Sequence, residues 1–272
     1  MSMRVLFVGE IVGKAGVYCV KQRLKELRER LAVDCVIANG DGTTGGFGLG
    51  KNHSIYLRKL GVDVITSGEQ IYYKRDMKEQ LQHASYILRP ANFPPGNAGR
   101  GWRTYTFGDE QIGVVSLLGQ SGYSRVHPTN PYSFLPEIVR RLKENCSIIV
   151  VDYHALTTAE KLTMFYHADG LVSAVVGTGT RVPTADERVS DKGTATICDA
   201  GRTGSIDSVG GLDPKIEINK IISQMPARSD ETWERLELQG VLMEFERDGR
   251  ALSIERVRES VSNEGVRQSN QG

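Results

Sequence analysis

The residues able to do chemistry fall in five short polar segments, each directly after an apolar run: Gly9-Glu10, Asn39-Gly40-Asp41, Gly68-Glu69-Gln70, Asp152-Tyr153-His154 and Gly177-Thr178-Gly179-Thr180-Arg181. Between them they hold four carboxylates (Glu10, Asp41, Glu69, Asp152), one imidazole (His154) and one permanent cation (Arg181). Like charges gathered at one place need a positive charge among them. That charge is a metal ion, the guanidinium of Arg181, or a proton held by one carboxyl.

What would gather them is a parallel sheet. Val5–Val8, Val33–Ala38, Val62–Thr66, Ile112–Leu118, Ile148–Val151 and Leu171–Val176 are short and β-branched, the pattern of strands covered on both faces. Val17–Leu31, His53–Leu60, Lys74–Leu81, Phe134–Lys143 and Ala159–Ala168 carry apolar residues three or four apart, as surface helices do. Strand and helix alternate, which predicts a largely parallel α/β sheet whose strand C-termini open onto one edge, where ligands bind. After Gly177 the pattern changes. A helix from Asp213 to Gln224 is started by Pro214, and Thr232–Arg247 with Ala251–Val257 reads as a hairpin across Asp248-Gly249, suggesting a second sheet packed on the first. A single domain is expected over 1–258, and the polar stretch 259–272 is expected to be mobile or held only by a partner.

Composition narrows the function. Of 272 residues, 34 are Lys or Arg and 33 Asp or Glu, which argues against a strongly basic nucleic-acid binder, and no nucleic-acid groove is evident. No apolar run reaches the ~20 residues of a membrane span and no signal peptide is visible, so the cytoplasm is the expected address. Cys19, Cys35, Cys146 and Cys198 form no CxxC pair and read as reduced, mostly buried thiols. Gly40-x-Gly42-x-x-Gly45 matches a dinucleotide fingerprint, but Gly46, Gly48 and Gly50 keep a helix from opening there. GEIVGK from Gly9 is too short for a P-loop, and GQSGY around Ser121 lacks the spacing of a nucleophile elbow.

Longer stretches carry a resemblance. VLFVGEIVGKAG, the Asn39-Gly40 pair, RPANFPPG (Arg89–Gly96), VDYHALTTAEK (Val151–Lys161), SAVVGT with TADER (Ser173–Arg188), KGTATICDAGRTG and DSVGGLDP are similar to the YmdB-like branch of the calcineurin-type metallophosphoesterases, from Arg4 to Val257. The resemblance implies a four-layer αββα sandwich whose strand ends hold two cations about 3.5–4 Å apart and hydrolyse phosphodiesters such as cyclic nucleotides. It also implies a ligand set that this chain keeps only in part. His154 stands at the family's lone histidine, Glu10 at its first aspartate and Asp41 at its bridging glutamate. Gly42 replaces an asparagine, Glu69-Gln70 an Asn-His pair, and Gly179 and Arg181 the two histidines of His-x-His; Gln70 thus stands at the family's catalytic histidine, and no catalytic residue is assigned.

Three readings are open. In the favoured one the two-metal site is lost, Arg181 pairs with Glu10 or Asp41 in place of a metal, and the protein is a binding or regulatory descendant without phosphodiesterase activity. In the alternative, Glu10, Asp41, Glu69 and His154 hold one Mn2+ or Mg2+ and Arg181 grips a phosphate, leaving a reduced one-metal phosphodiesterase or phosphatase. The third is an assembly protein that uses the loop Gly42–Gly50 and the tail. A small phosphorylated or nucleotide ligand suits Tyr72, Tyr73, Tyr123, Arg125 and His127 near the site; the family resemblance implies a homo-oligomer, and the loop Gly42–Gly50 with the tail could serve a protein partner.

Overall fold

The structure is a computed structural model that describes residues 2–123 and 125–263. In chain order the elements begin with β1 (Met3–Val8), β2 (Glu10–Ile11), α1 (Gly13–Arg30), β3 (Cys35–Asn39), α2 (Lys51–Lys59), β4 (Val64–Thr66) and α3 (Met77–His83). There follow β5 (Trp102–Phe107), β6 (Glu110–Leu118), α4 (Pro131–Leu142), β7 (Ile148–His154), α5 (Thr158–Ala168), β8 (Ala174–Thr178) and β9 (Arg188–Val189). The chain continues with β10 (Ala195–Ile197), β11 (Arg202–Ser205), α6 (Pro214–Ser223), β12 (Leu236–Phe245) and β13 (Ala251–Val261).

Two sheets result. One runs β2-β11-β12-β1-β3-β4 with β13 added against β12; the other runs β5-β6-β7-β8-β10-β9. Strict alternation along the strands explains why both faces are buried. In β1, Val5 and Phe7 face the other sheet, where Ile37 and Val64 join Ile112, Val114, Ile148, Val150, Ala174 and Val176 in a common core. Leu6 and Val8 face outward, onto Val17, Val20, Leu24 and Leu27 of α1. On the far side, Val115, Leu117, Ile149, Val151 and Val175 are covered by α4 and α5 through Leu135, Ile138, Leu142, Met164 and Phe165. The layers are therefore helix, sheet, sheet, helix.

The expected second sheet exists, but the C-terminal hairpin does not build it. Strand β12 pairs antiparallel with β1, from Met3↔Phe245 to Val8↔Gly240, and its Val241, Met243 and Phe245 extend the inner face already begun by Val5 and Phe7. The second sheet is made instead from β5 to β10, so each sheet is mixed. The hairpin turn itself forms at Asp248-Gly249, where Gly249 takes φ +93°, Glu246 N–H donates to the Arg250 carbonyl and Gly249 N–H to the Glu246 carbonyl. Strand β13 also outlasts its expected end: Leu238↔Glu259, Glu237↔Ser260 and Leu236↔Val261 are paired, and Val261 is buried beside Val257. The expected tail therefore begins as a strand, because β12 is long enough to template it, and residues 264–272 lie outside the described part. As expected, α6 starts at Pro214, no helix opens at Gly45, and all four cysteines are buried and free; the structure adds that Asp213 caps α6. No helix among the described residues is long and apolar enough to cross a membrane.

Candidate metal centre

The C-terminal ends of β3, β4, β7 and β8 meet where the two sheets adjoin, and there the polar segments converge. One ligand atom each from Asp41, Glu69 and His154 lies within 4.8 Å of the others. His154 Nε2 is 3.1 Å from Glu69 Oε2 and 3.9 Å from Asp41 Oδ2. Asp41 is held by the main chain after β4: its Oδ1 accepts from Gly68 N–H at 2.7 Å and its Oδ2 from Gln70 N–H at 3.1 Å. Gly68 has to be glycine, since a Cβ there would sit 2.4 Å from His154 Nε2 and 2.8 Å from Asp41 Oδ2.

Behind His154 stands a layer that sequence reasoning missed. Asn39 Nδ2 donates to Asp152 Oδ2 (2.8 Å) and to Thr178 Oγ1 (3.2 Å), while the Thr178 hydroxyl donates to Asp152 Oδ1 (2.7 Å). With its single proton committed to Asp152, Thr178 Oγ1 accepts from His154 Nδ1–H at 2.9 Å. Nε2 is thereby turned toward Asp41 and Glu69, the arrangement that orients metal-binding imidazoles. Asp152, one of the four carboxylates noted at the strand ends, belongs to this rear layer and not to the converging trio. The only hint in the sequence was that Asn39 and Thr178 are polar residues closing otherwise apolar strands.

Glu10 stands apart from the trio. Its Oε1 accepts from Arg181 Nη2 at 2.7 Å, and its Oε2 is buried without a hydrogen-bond partner. Arg181 also donates to the carbonyls of Gly46 and Gly210, each at 3.1 Å. Two glycines, Gly42 and Gly179, make this possible. A Cβ at Gly42 would lie 2.8 Å from Glu10 Oε1 and 2.9 Å from Arg181 Nη2, so a side chain there would evict the guanidinium. Gly179, at φ +105°, turns the chain close past the His154 ring, and Arg181 follows at φ +59°. This strained loop is anchored by a buried ion pair unforeseen from sequence: Asp199 Oδ2 accepts from Lys161 Nζ (3.0 Å), Thr180 N–H (2.9 Å) and Thr180 Oγ1–H (2.6 Å). Gln70 is occupied, donating from Nε2 to Glu69 Oε1 (2.9 Å) and accepting Gly48 N–H (3.1 Å). Of the flanking aromatics, Tyr123 donates its hydroxyl to the His154 carbonyl.

Charge follows from this geometry. Burial, then the charge of Glu69, pushes Asp41 up to about 7. Burial would also raise Glu69, but its contact with His154 outweighs that and holds it at about 2. Burial opposes a charged His154, yet Glu69, Asp41 and Glu10 lift it to about 10. An imidazole with Nδ1–H committed rearward presents its Nε2 to two carboxylates, which is sustainable only with a proton or a cation between them. Oxygen donors with one nitrogen suit one hard divalent ion, and Asp41, Glu69 and His154 would hold it. Beside that trio, the guanidinium of Arg181 supplies positive charge to Glu10. An ion that binds must displace the proton of His154 and part of that on Asp41. The apparent Mn2+ affinity is therefore expected to rise by about tenfold or more per pH unit between about pH 6 and 9. Titrations at fixed pH steps check this, and a flat profile would mean that His154 is not a ligand.

Comparison with known proteins places this geometry. A family model described as "YmdB-like protein" matches residues 6–257. A 2′,3′-cyclic-nucleotide 2′-phosphodiesterase of Bacillus subtilis (strain 168) is 32% identical over 256 residues, covering 94% of this chain and 96% of its own. The crystal structure of a novel phosphatase from Mycoplasma pneumoniae superposes with a TM-score of 0.91 at 30% identity, over 98% of this chain and 97% of that one. A putative 5′-nucleotidase from Staphylococcus aureus shares the fold alone, with a TM-score of 0.63 at 14% identity over 100% of this chain and 58% of that one.

Proposed function

The chain belongs to the YmdB-like family, with the fold of the calcineurin-type metallophosphoesterases, and from that premise we propose that it is a metal-dependent phosphoesterase of small nucleotide-type phosphodiesters, working with one divalent cation and one fixed guanidinium. The observation that carries this is the forward-facing His154 Nε2, 3.1 Å from Glu69 and 3.9 Å from Asp41, with Arg181 buried opposite on Glu10. A divalent cation on that trio would supply the charge that draws a phosphate oxygen and makes water more acidic.

The chain's own residues supply the rest. Arg181 is a planar donor of five N–H groups with only part of its capacity spent on Glu10, Gly46 and Gly210, so it offers a phosphate a charged contact from a rigid position. Gly68 and Gln70 amides hold the Asp41 carboxylate in place, and the Asn39–Thr178–Asp152 layer prevents the imidazole from flipping. Gln70 carries no transferable proton at the family's histidine position, so proton delivery to the departing oxygen falls to solvent.

The Arg181–Glu10 pair is equally what the metal-free binding protein favoured from sequence would contain. The relatives are named as a phosphodiesterase and a phosphatase, and this supports the hydrolytic reading over that one. The test is hydrolysis of 2′,3′-cyclic AMP and of bis(p-nitrophenyl) phosphate by the purified chain. Turnover is expected with Mn2+, loss with a chelator, and recovery when Mn2+ is returned. No hydrolysis of either ester at any Mn2+ concentration would overturn the proposal.

A further inference from the structure

A cavity of about 500 Å3 opens on the flank of the same loop that carries Glu69 and Gln70, lined by Tyr72, Lys74, Arg75 and Lys78 with Gly96, Asn97 and Ala98 opposite. It has three cations in its wall and no carboxylate. The lysine ion pairs among the described residues belong to Lys161, Lys192 and Lys220, so Lys74 and Lys78 have no acidic partner there. The acids nearest in sequence, Asp76 and Glu79, are not part of the lining, and Asp76 Oδ2 accepts from Lys51 N–H at the start of α2.

One more cation, Arg89, is not part of that wall but interacts with Tyr72, which is. Among the described residues, the buried Arg89 side chain donates to the carbonyls of Pro90 and Ala91, and its Nε has no partner. A buried guanidinium with no counter-ion is costly, and an anion close by would offset that cost. The wall is also stiff: the Tyr72 ring stacks on Phe93 with centroids 6.0 Å apart, and its hydroxyl donates to the Ala98 carbonyl across the cavity (2.6 Å). Its scaffold is shared with the metal centre. The Lys74 stem packs where a Cβ on Gly48 would be, 3.6 Å away, and Gly48 N–H donates to Gln70 Oε1 and to the Asp41 carbonyl.

We infer that this cavity is a subsite for a second phosphate on the nucleotide substrate. The inference rests on the phosphodiesterase reading above. On a ribose whose 2′ and 3′ oxygens are tied in the cyclic ester, the only other hydroxyl is at 5′, so the second phosphate is a 5′ ester.

Two measurements test it. Wild-type chain with Mn2+ should show a KM about tenfold or more lower for 2′,3′-cyclic AMP bearing a 5′-phosphate than for the same compound without it, an advantage that shrinks in ~0.5 M salt. The variant Lys74→Ala/Arg75→Ala/Lys78→Ala should lose that preference while its kcat and KM for the unphosphorylated compound stay within about twofold, and Lys78→Glu alone should weaken the preference in the same direction. A dinucleotide ending in the cyclic phosphate distinguishes a terminal 5′-phosphate from an internucleotide one, and a gain with either supports the subsite. No discrimination by the wild type, or discrimination that survives in the triple variant, overturns it. Calorimetry on the metal-free chain separates this from failure of the hydrolytic reading: adenosine 5′-monophosphate should bind about tenfold tighter than adenosine, only with the three cations present.

Discussion

Arg181→Ala should lower kcat/KM for a cyclic phosphodiester by about 10²–10³-fold, roughly 2.7–4 kcal/mol of transition-state stabilisation, while leaving bound Mn2+ unchanged. The size follows from where the guanidinium sits. Its side chain is 14% exposed and contacts a carboxylate that is 1% exposed, so its charge acts through little water. Its loop is preorganised by the Lys161–Asp199 pair and by glycine at 179, so no reordering is needed when charge grows on the phosphate. Removing the arginine alone would strand Glu10 in a buried place. The clean comparison therefore adds Glu10→Gln, which removes the stranded charge and restores folding without restoring the cation. Unchanged kcat/KM in that double variant would show that Arg181 is only a structural partner of Glu10.

Asp41→Asn should abolish both Mn2+ retention and hydrolysis, the latter by about 10³-fold or more, while the metal-free chain unfolds within about 1 kcal/mol of wild type. Asp41 accepts the Gly68 and Gln70 amides, and an asparagine oxygen keeps the shorter of these bonds. Burial and Glu69 already hold its carboxyl near neutrality, with a pKa of about 7, so the neutral amide resembles a state that the metal-free protein populates. What the amide cannot supply is the anionic oxygen that a hard cation requires. Elemental analysis beside denaturant melts checks both halves. Mn2+ retained by the variant would exclude Asp41 as a ligand, and a large loss of stability would mean that the charge at 41 holds the fold.

The relation between sequence and structure differs by element. The β-branched runs and the alternating helices were legible because burial on both faces leaves no polar position in a strand, as in Ile148–Val151. The polar residues directly after each strand then brought Asp41, Glu69, His154 and Arg181 to one edge without any knowledge of side-chain geometry. The sequence places Arg181 against Glu10 or Asp41 without deciding between the two, and the structure pairs it with Glu10. That choice depends on a guanidinium 171 positions away passing through space left by Gly42, and neither fact has a local signature. Lys161 reads as one more surface lysine on an amphipathic helix, and only the folded chain shows that it is buried on Asp199. The hairpin was legible from Asp248-Gly249, but its sheet was not. Sheet membership was decided by β12 continuing the apolar inner face of β1.

The central claim is that this chain replaces one of two metal ions with an arginine and keeps the other on Asp41, Glu69 and His154. The most direct test is elemental analysis of the purified chain after incubation with Mn2+ and desalting, alongside Asp41→Asn. One ion per chain is predicted, lost in the variant. Two ions would contradict the claim by showing that Arg181 yields its place to metal, and none would contradict it by leaving the three ligands without a cation to hold.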